Sequence, residues 1–289
     1  MNIVVCSSKY VCGSLWVCVG MLNVNPKYRR PLSAKQVSLL QVVFKFRFVS
    51  SDLLAEYLGK DRSSIYENLY VLVKQEYVAK RYDQTYRLRG RPASYCLATK
   101  GIRYLRENTD TSEKALRNMH KNKNMNEEHM DKCLLIMRIA NTLHRQTNNE
   151  FDIATKYELT DQEFFLRPLP ELYLSRKKPK DDHKFDYTLD IFEPNLPTWV
   201  LRKRLRDYQE HCYEAELENN EYPNVLLVAS NDSTERRLHK QCKYSMQDFE
   251  FYVTTLERLL DPDNIHQPIW KDDMFDEDDE GEEVELRGL

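Results

Sequence analysis

The sequence predicts an α+β chain built in two parts, and three observations carry that expectation. Apolar residues recur at helical spacing between Val37 and Val73 and again from Met130 to Leu143. Short runs of strand length lie at 77–82, at 94–98 and repeatedly beyond 151. Basic side chains crowd the first part, although the whole chain carries a net charge of −3. With 289 residues there is room for two domains, each burying its own core.

Residues 1–26 come first and stand apart. The stretch from Ile3 to Val24 leans apolar, but Ser7, Ser8, Lys9 and Ser14 interrupt it and no basic segment precedes it. That pattern suits neither a signal peptide nor a membrane span, so a disordered or misassigned extension is expected, with no membrane role.

Residues 27–107 then read as a unit. Val37, Leu40, Val43 and Phe44 form one helix face after Ser33. Ser50 offers a cap to a second helix carrying Leu53, Leu54, Tyr57 and Leu58, and Gly59 stops it. Asp61 opens a third, with Ile65, Leu69, Leu72 and Val73 inward. Tyr77–Tyr82 and Ser94–Ala98 read as strands around a positively charged turn, Arg87-Leu-Arg-Gly-Arg-Pro. Another helix starts at Thr99.

Three helices followed by a basic two-stranded wing is the order of a winged helix-turn-helix. In that motif the start of the recognition helix enters the major groove and the wing meets backbone or minor groove. The residues so placed are Arg62, Ser63, Ser64, Tyr66, Glu67 and Asn68 on the helix, and Arg87, Arg89 and Arg91 on the wing. Between Lys27 and Arg106 there are 17 Lys and Arg against 6 Asp and Glu, a local net of +11, which suits a polyanionic partner such as double-stranded DNA.

Residues 108–125 are polar with little periodicity and read as a partly helical linker. Residues 126–260 predict an α/β domain. An amphipathic helix around Met130–Leu143 is followed by strands at Phe151–Leu159, Glu171–Leu174 and Lys184–Phe192. A long helix from Pro197 to Glu218, an apolar strand at Asn224–Ala229 and a helix at Thr234–Cys242 complete the pattern. Residues 261–289 are expected to be an acidic disordered tail: ten of the residues from Lys271 to Glu285 are Asp or Glu. Such a tail can compete with DNA for the basic part.

The seven cysteines are odd in number and scattered, which suits a reducing cytoplasm better than a disulfide framework. No Cys-x-x-Cys pair, phosphate-binding loop, dinucleotide fingerprint or Ser-His-Asp arrangement is present, so no cofactor or metal is expected.

The order helix, three strands, helix, strand resembles the restriction-endonuclease-like core of the PD-(D/E)xK nucleases. There a carboxylate after proline and another on the next strand hold Mg²⁺, and a lysine activates water. The resemblance assigns Pro170-Glu171 to the first position and Asp190 to the second. Phe192 stands where the lysine belongs, which leaves the cations of the next helix, Arg202, Lys203, Arg204 and Arg206, as substitutes.

From Leu32 to Lys243 the chain resembles the replication-relaxation family of plasmids and conjugative elements. The wing, Pro170-Glu171, the strand ending at Asp190 and Arg204-Leu-Arg-Asp-Tyr208 carry the likeness. The family pattern has Asp at 171, often an acid at 188 and Lys at 204, where this chain has Glu171, Thr188 and Arg204. The resemblance implies a DNA-binding accessory protein of replication or transfer with a nuclease-like domain that has lost catalysis, Glu171, Asp190 and Arg204 being its vestige. A relaxase, a replication protein or a second copy in a homodimer are the further partners it implies. A winged-helix transcription repressor and a metal-dependent nuclease remain as alternatives.

Overall fold

The computed structural model describes residues 31–82, 84–177, 186–217, 222–245, 251–272 and 283–284. The expectation for residues 1–26 lies outside them.

The first helices form where their caps allow. Helix α1 (Ala34–Phe46) opens on a capping box in which Ser33 and Gln36 exchange side-chain-to-backbone hydrogen bonds. Ser50 Oγ accepts from the Leu53 N–H at the start of α2 (Ser51–Leu58), and Gly59 ends it in the left-handed region at φ 57°. Asp61 caps α3 (Arg62–Lys74) by accepting from the Ser64 N–H, and Ile65, Leu69 and Leu72 turn inward. Strands β1 (Val78–Arg81) and β2 (Ser94–Leu97) pair antiparallel, and Val49 adds a bridge to Tyr95.

The connection between β1 and β2 differs from the expected simple turn. A short helix, α4 (Gln84–Leu88), contains Arg87, and the chain turns only afterwards, at Gly90 with φ 62°. The physical reason is Tyr86, buried in a cluster with Phe48, Cys96, Met130 and Cys133, which pins α4 to the molecule. Helix α5 (Thr99–Asn108) then packs so closely that a Cβ on Gly101 would lie 2.2 Å from the Tyr77 carbonyl oxygen.

Residues 108–125 are not a linker. They contain α6 (Glu113–Met119) and a 3₁₀ turn, and Ala115, Leu116, Met119 and Asn122 are buried. Buried Arg47 donates to Asn122 Oδ1 at 2.8 Å and to the Asn118 carbonyl at 3.1 Å. Arg81 donates to the Met125 carbonyl at 2.8 Å. Three apolar residues on one turn and two arginines seeking carbonyls outweigh the polar composition of the segment.

Helix α7 (Glu127–Gln146) is capped by Asn126 and is buried on most sides. It lies between α1 and α2 and a seven-stranded sheet. That sheet holds β3 (Phe151–Thr155), β4 (Leu172–Arg176), β5 (Tyr187–Phe192), β6 (Asn224–Ala229), β7 (Phe251–Thr255), β8 (Trp270–Asp272) and β9 (Glu283–Val284) in chain order. Strands β3 to β5 are antiparallel, β5 to β7 parallel, and β7 to β9 antiparallel. The parallel steps are spanned by α8 (Thr198–Leu217) and α9 (Asp232–Ser245), while α10 (Leu256–Leu260) follows β7.

Alternation sorts the side chains of the sheet. Val225, Leu227, Ala229, Phe251 and Val253 pack with Leu201, Leu205, Tyr208 and Leu238 of α8 and α9. Leu226, Val228 and Tyr252 join a second cluster that includes Met137 and Ala140 of α7, Leu40 of α1, Leu72 of α3 and Trp270.

Two expected boundaries therefore change. The parts predicted as separate domains at 27–107 and 126–260 share one continuous apolar core. The tail predicted from 261 onward begins with ordered structure, because Trp270 is fully buried and β8 and β9 extend the sheet. The α+β class stands.

Candidate functional site

Two places collect the residues predicted from the sequence. At the first, α3 turns Arg62, Ser63, Ser64, Tyr66 and Glu67 to solvent, with Tyr66 and Tyr70 about half exposed. Asn68 is half-buried and donates to the Ser64 carbonyl at 2.8 Å, so its amide is spent on its own helix in the unbound chain. Arg62 pairs with exposed Asp52.

The wing arginines are arranged otherwise than a free basic turn. Arg91 donates to Glu127 Oε2 at 2.9 Å and also pairs with Asp131, both on the first turns of α7. Arg89 reaches the same Glu127 oxygen at 3.4 Å. Burial, which lowers the Arg91 pKa, is outweighed by Asp131 and Glu127, which raise it. Arg47 and Arg81 are tied to carbonyls of residues 118–125, and Lys45 pairs with Glu158 at 3.4 Å. The local net of +11 thus overstates the charge offered outward, since several of these cations serve the fold.

At the second place, the end of β5 meets the residue before β4. The Glu171 N–H donates to Asp190 Oδ1 at 3.3 Å, which sets the two acids side by side. Asp190 Oδ2 accepts from Arg204 Nε at 2.7 Å and from the Tyr208 hydroxyl at 2.9 Å. Arg204 also donates to the Pro168 carbonyl at 2.7 Å and to Tyr208 at 3.0 Å. The Arg204-to-Tyr208 spacing is one helical turn, so both reach Asp190 from the inner side of α8.

Glu171 faces other cations. Lys156 Nζ lies 2.7 Å from Oε2, and Lys132 Nζ of α7 lies 2.9 Å from Oε1. Burial raises the Glu171 pKa, but Lys156 and Lys132 pull it below the ordinary carboxylate value. Tyr208 is pushed well above its usual value by burial and by Asp190, so it stays protonated and donates. Arg204 is held protonated by Asp190 and Tyr208 against the opposing effect of burial.

The chemistry of this centre follows from its lone pairs. Asp190 Oδ2 already accepts two hydrogen bonds, Oδ1 accepts one, and each Glu171 oxygen is met by an ammonium. Only Asp190 Oδ2 is filled by two donors; a divalent cation on the remaining lone pairs would sit against the positive charge of Arg204, Lys132 and Lys156. Among the described residues no group of three or more His, Cys, Asp or Glu side chains is placed to hold a metal. Lys132 and Lys156 were not singled out from the sequence, because both lie far along the chain from Glu171, the acid they meet. Their only signal is that β3 and the start of α7 end at the same edge of the sheet.

No protein-family model matches the chain, and no curated protein matches it. Among solved structures, the restriction endonuclease FokI is similar at 11% identity with a TM-score of 0.29, over 80% of this chain and 44% of that one. The chain thus spans less than half of that structure, and a likeness this distant carries no argument about activity.

Proposed function

We propose that the chain binds duplex DNA through a winged helix at residues 27–106 and acts as an accessory protein of plasmid or mobile-element replication or transfer. The observation that carries this reading is the exposed first half of α3. Ser63, Ser64, Tyr66 and Glu67 present donors and acceptors to solvent there, with Arg62 and Lys60 beside them. The order α1, α2, α3, β1, β2 and the Val49 bridge to Tyr95 support a winged helix. The order α7, β3, β4, β5, α8, β6 supports a restriction-endonuclease-like second half, whose acid pair serves structure instead of cleavage.

The test is binding of the full chain to random and native genomic duplexes, followed by selection of the retained sequences. Enrichment beside a replication or transfer origin fits the proposal. Enrichment at promoters favours a repressor, and no retention at low salt removes the duplex reading altogether.

One observation favours metal-dependent cleavage as a second reading: Lys132 and Lys156 bring to Glu171 the ammonium that position 192 lacks. Nicking of supercoiled DNA with Mg²⁺ or Mn²⁺ that disappears in a Glu171→Ala, Asp190→Ala double variant would establish it. Silence of the native chain fits the accessory role.

A further inference from the structure

The helical layer of α8 and α9 covers the face of the sheet opposite α7, and it carries charge that helix stability does not explain. Arg202, Lys203, Arg204 and Arg206 sit in the first half of α8, and Asp207, Glu210 and Glu214 come after them. That order opposes the helix dipole, which favours acids near the N-terminus and bases near the C-terminus. Only Arg204 has the internal role described above.

The rest of this cationic set lies outward. Arg202, Lys203 and Arg206 are exposed on α8, as are Arg236 and Lys240 on α9. Arg202 Nε donates to Gln241 at 2.8 Å and Arg237 donates to the Leu196 carbonyl at 2.6 Å, so the two helices run side by side at this end. No acidic residue lies in 198–206 or in 236–243. Among the described residues, Lys203, Arg206, Arg236 and Lys240 make no ion pair.

Trp199 stands at the N-terminal end of α8 beside this surface and is 69% exposed, with Lys203 one turn along. An indole left in water amid cations forgoes its burial free energy, and it offers a flat face for stacking. Duplex DNA cannot use that face, since its bases are already stacked and paired. An unpaired strand can, with its phosphates on the lysines and arginines around it.

We infer that the outer surface of α8 and α9, centred on Trp199, Lys203 and Arg206, is a binding site for single-stranded nucleic acid. It lies across the sheet from α7 and is separate from the duplex surface on α3. The inference stands whether or not the duplex reading holds. A chain with both surfaces could hold an opened strand while anchored to neighbouring duplex.

The experiment is fluorescence anisotropy of the full chain with labelled oligothymidylate, oligouridylate and a mixed-sequence duplex, each about 16 nucleotides or base pairs long to match the upper site size of such surfaces. Tight binding of either single strand is expected, with the better of the two naming the sugar preferred. Trp199→Ala should weaken it roughly 5- to 100-fold, corresponding to the loss of one stacked base, and Trp199→Phe should restore most of it. Lys203→Glu with Arg206→Glu should weaken it further and flatten its salt dependence. Duplex affinity should stay within about twofold in all three variants, and each should melt like the parent because the altered side chains are exposed. Absence of single-strand binding in the parent overturns the inference, as does a Trp199→Ala variant that binds single strands like the parent. So does equal loss on single strands and duplex. A parent chain that binds single strands but no duplex would count against the proposed function and leave this site intact.

Discussion

The surface of α3 and the acid centre at Glu171 and Asp190 hold similar residue types and treat them in opposite ways. On α3, Ser63, Ser64, Tyr66 and Glu67 face solvent and most of their hydrogen-bonding capacity is unspent. At the sheet, Asp190 and Glu171 are each surrounded by donors, and Arg204, Tyr208, Lys132 and Lys156 have partners in turn. A polar group in water stays ready for a ligand, whereas one in a buried network has already met its partners. The first region therefore keeps its polar groups available, as the proposed duplex surface requires, while the second ties the sheet to α7 and α8.

The largest effect that bears on this contrast is expected at Trp270, which shares a core with α1 and α3. Trp270→Ala should cost about 4 kcal/mol and lower the melting of the whole described unit in one transition. Separate melting of helical and sheet parts, by far-ultraviolet and aromatic signals, would show two domains after all.

Next in size is Arg204→Ala, which strands Asp190 among buried groups and should cost about 3 kcal/mol by denaturant titration. A cost under about 1 kcal/mol would mean that the acid centre is not structural. It would then be open to a metal.

The recognition surface should reveal itself in salt. With roughly four to six phosphates neutralised, log K for duplex binding should fall with log salt at a slope of about −4 to −5, and Arg89→Ala should reduce that slope by roughly 1. Binding that does not respond to salt would remove α3 and the wing from consideration.

A smaller effect tests the ion pairs on the wing. Glu127→Gln with Asp131→Asn frees Arg89 and Arg91, so duplex affinity should rise about threefold at low salt and the gain should vanish at high salt. No gain would mean that these arginines stay on α7 when DNA binds.

The smallest concerns His144 of α7, packed edge-on against Tyr57 of α2 with ring centroids 5.3 Å apart. Burial, with Lys45 and Lys177 nearby, lowers its pKa to about 4 from 6.5. The unfolded chain binds the proton first, so this residue's contribution is complete above about pH 6.5 and is lost as pH falls toward 4. His144→Gln should flatten the fall of Tm across that window, and an unchanged pH profile would count against a buried neutral imidazole.

Much of the backbone was legible from local signals. Ser33, Ser50, Gly59 and Asp61 mark the helix ends because caps act over three or four residues. That Glu171 and Asp190 lie side by side with Arg204 facing them was expected from strand order, whereas the Tyr208 hydroxyl on Asp190 was not. What escaped is long-range. Nothing near Lys132 or Lys156 announces Glu171, and nothing near Arg91 announces Glu127 and Asp131, 36 and 40 residues away. Residues 108–125 misled by composition, since three apolar side chains sufficed to fold α6 against the core. Cutting the chain before Lys271, which seemed harmless for a tail, would sever β8, where Lys271 pairs with Val253.

The position of Trp270 also constrains how the molecule is made. A ribosome delivers α1 to α3 well before β7 and β8, so for most of synthesis the inner faces of these helices lack part of their covering. Polypeptides released before residue 270 would leave that apolar surface open, inviting chaperones and proteases. A premature stop as late as codon 265 should therefore silence the amino-terminal helices as thoroughly as one in their midst.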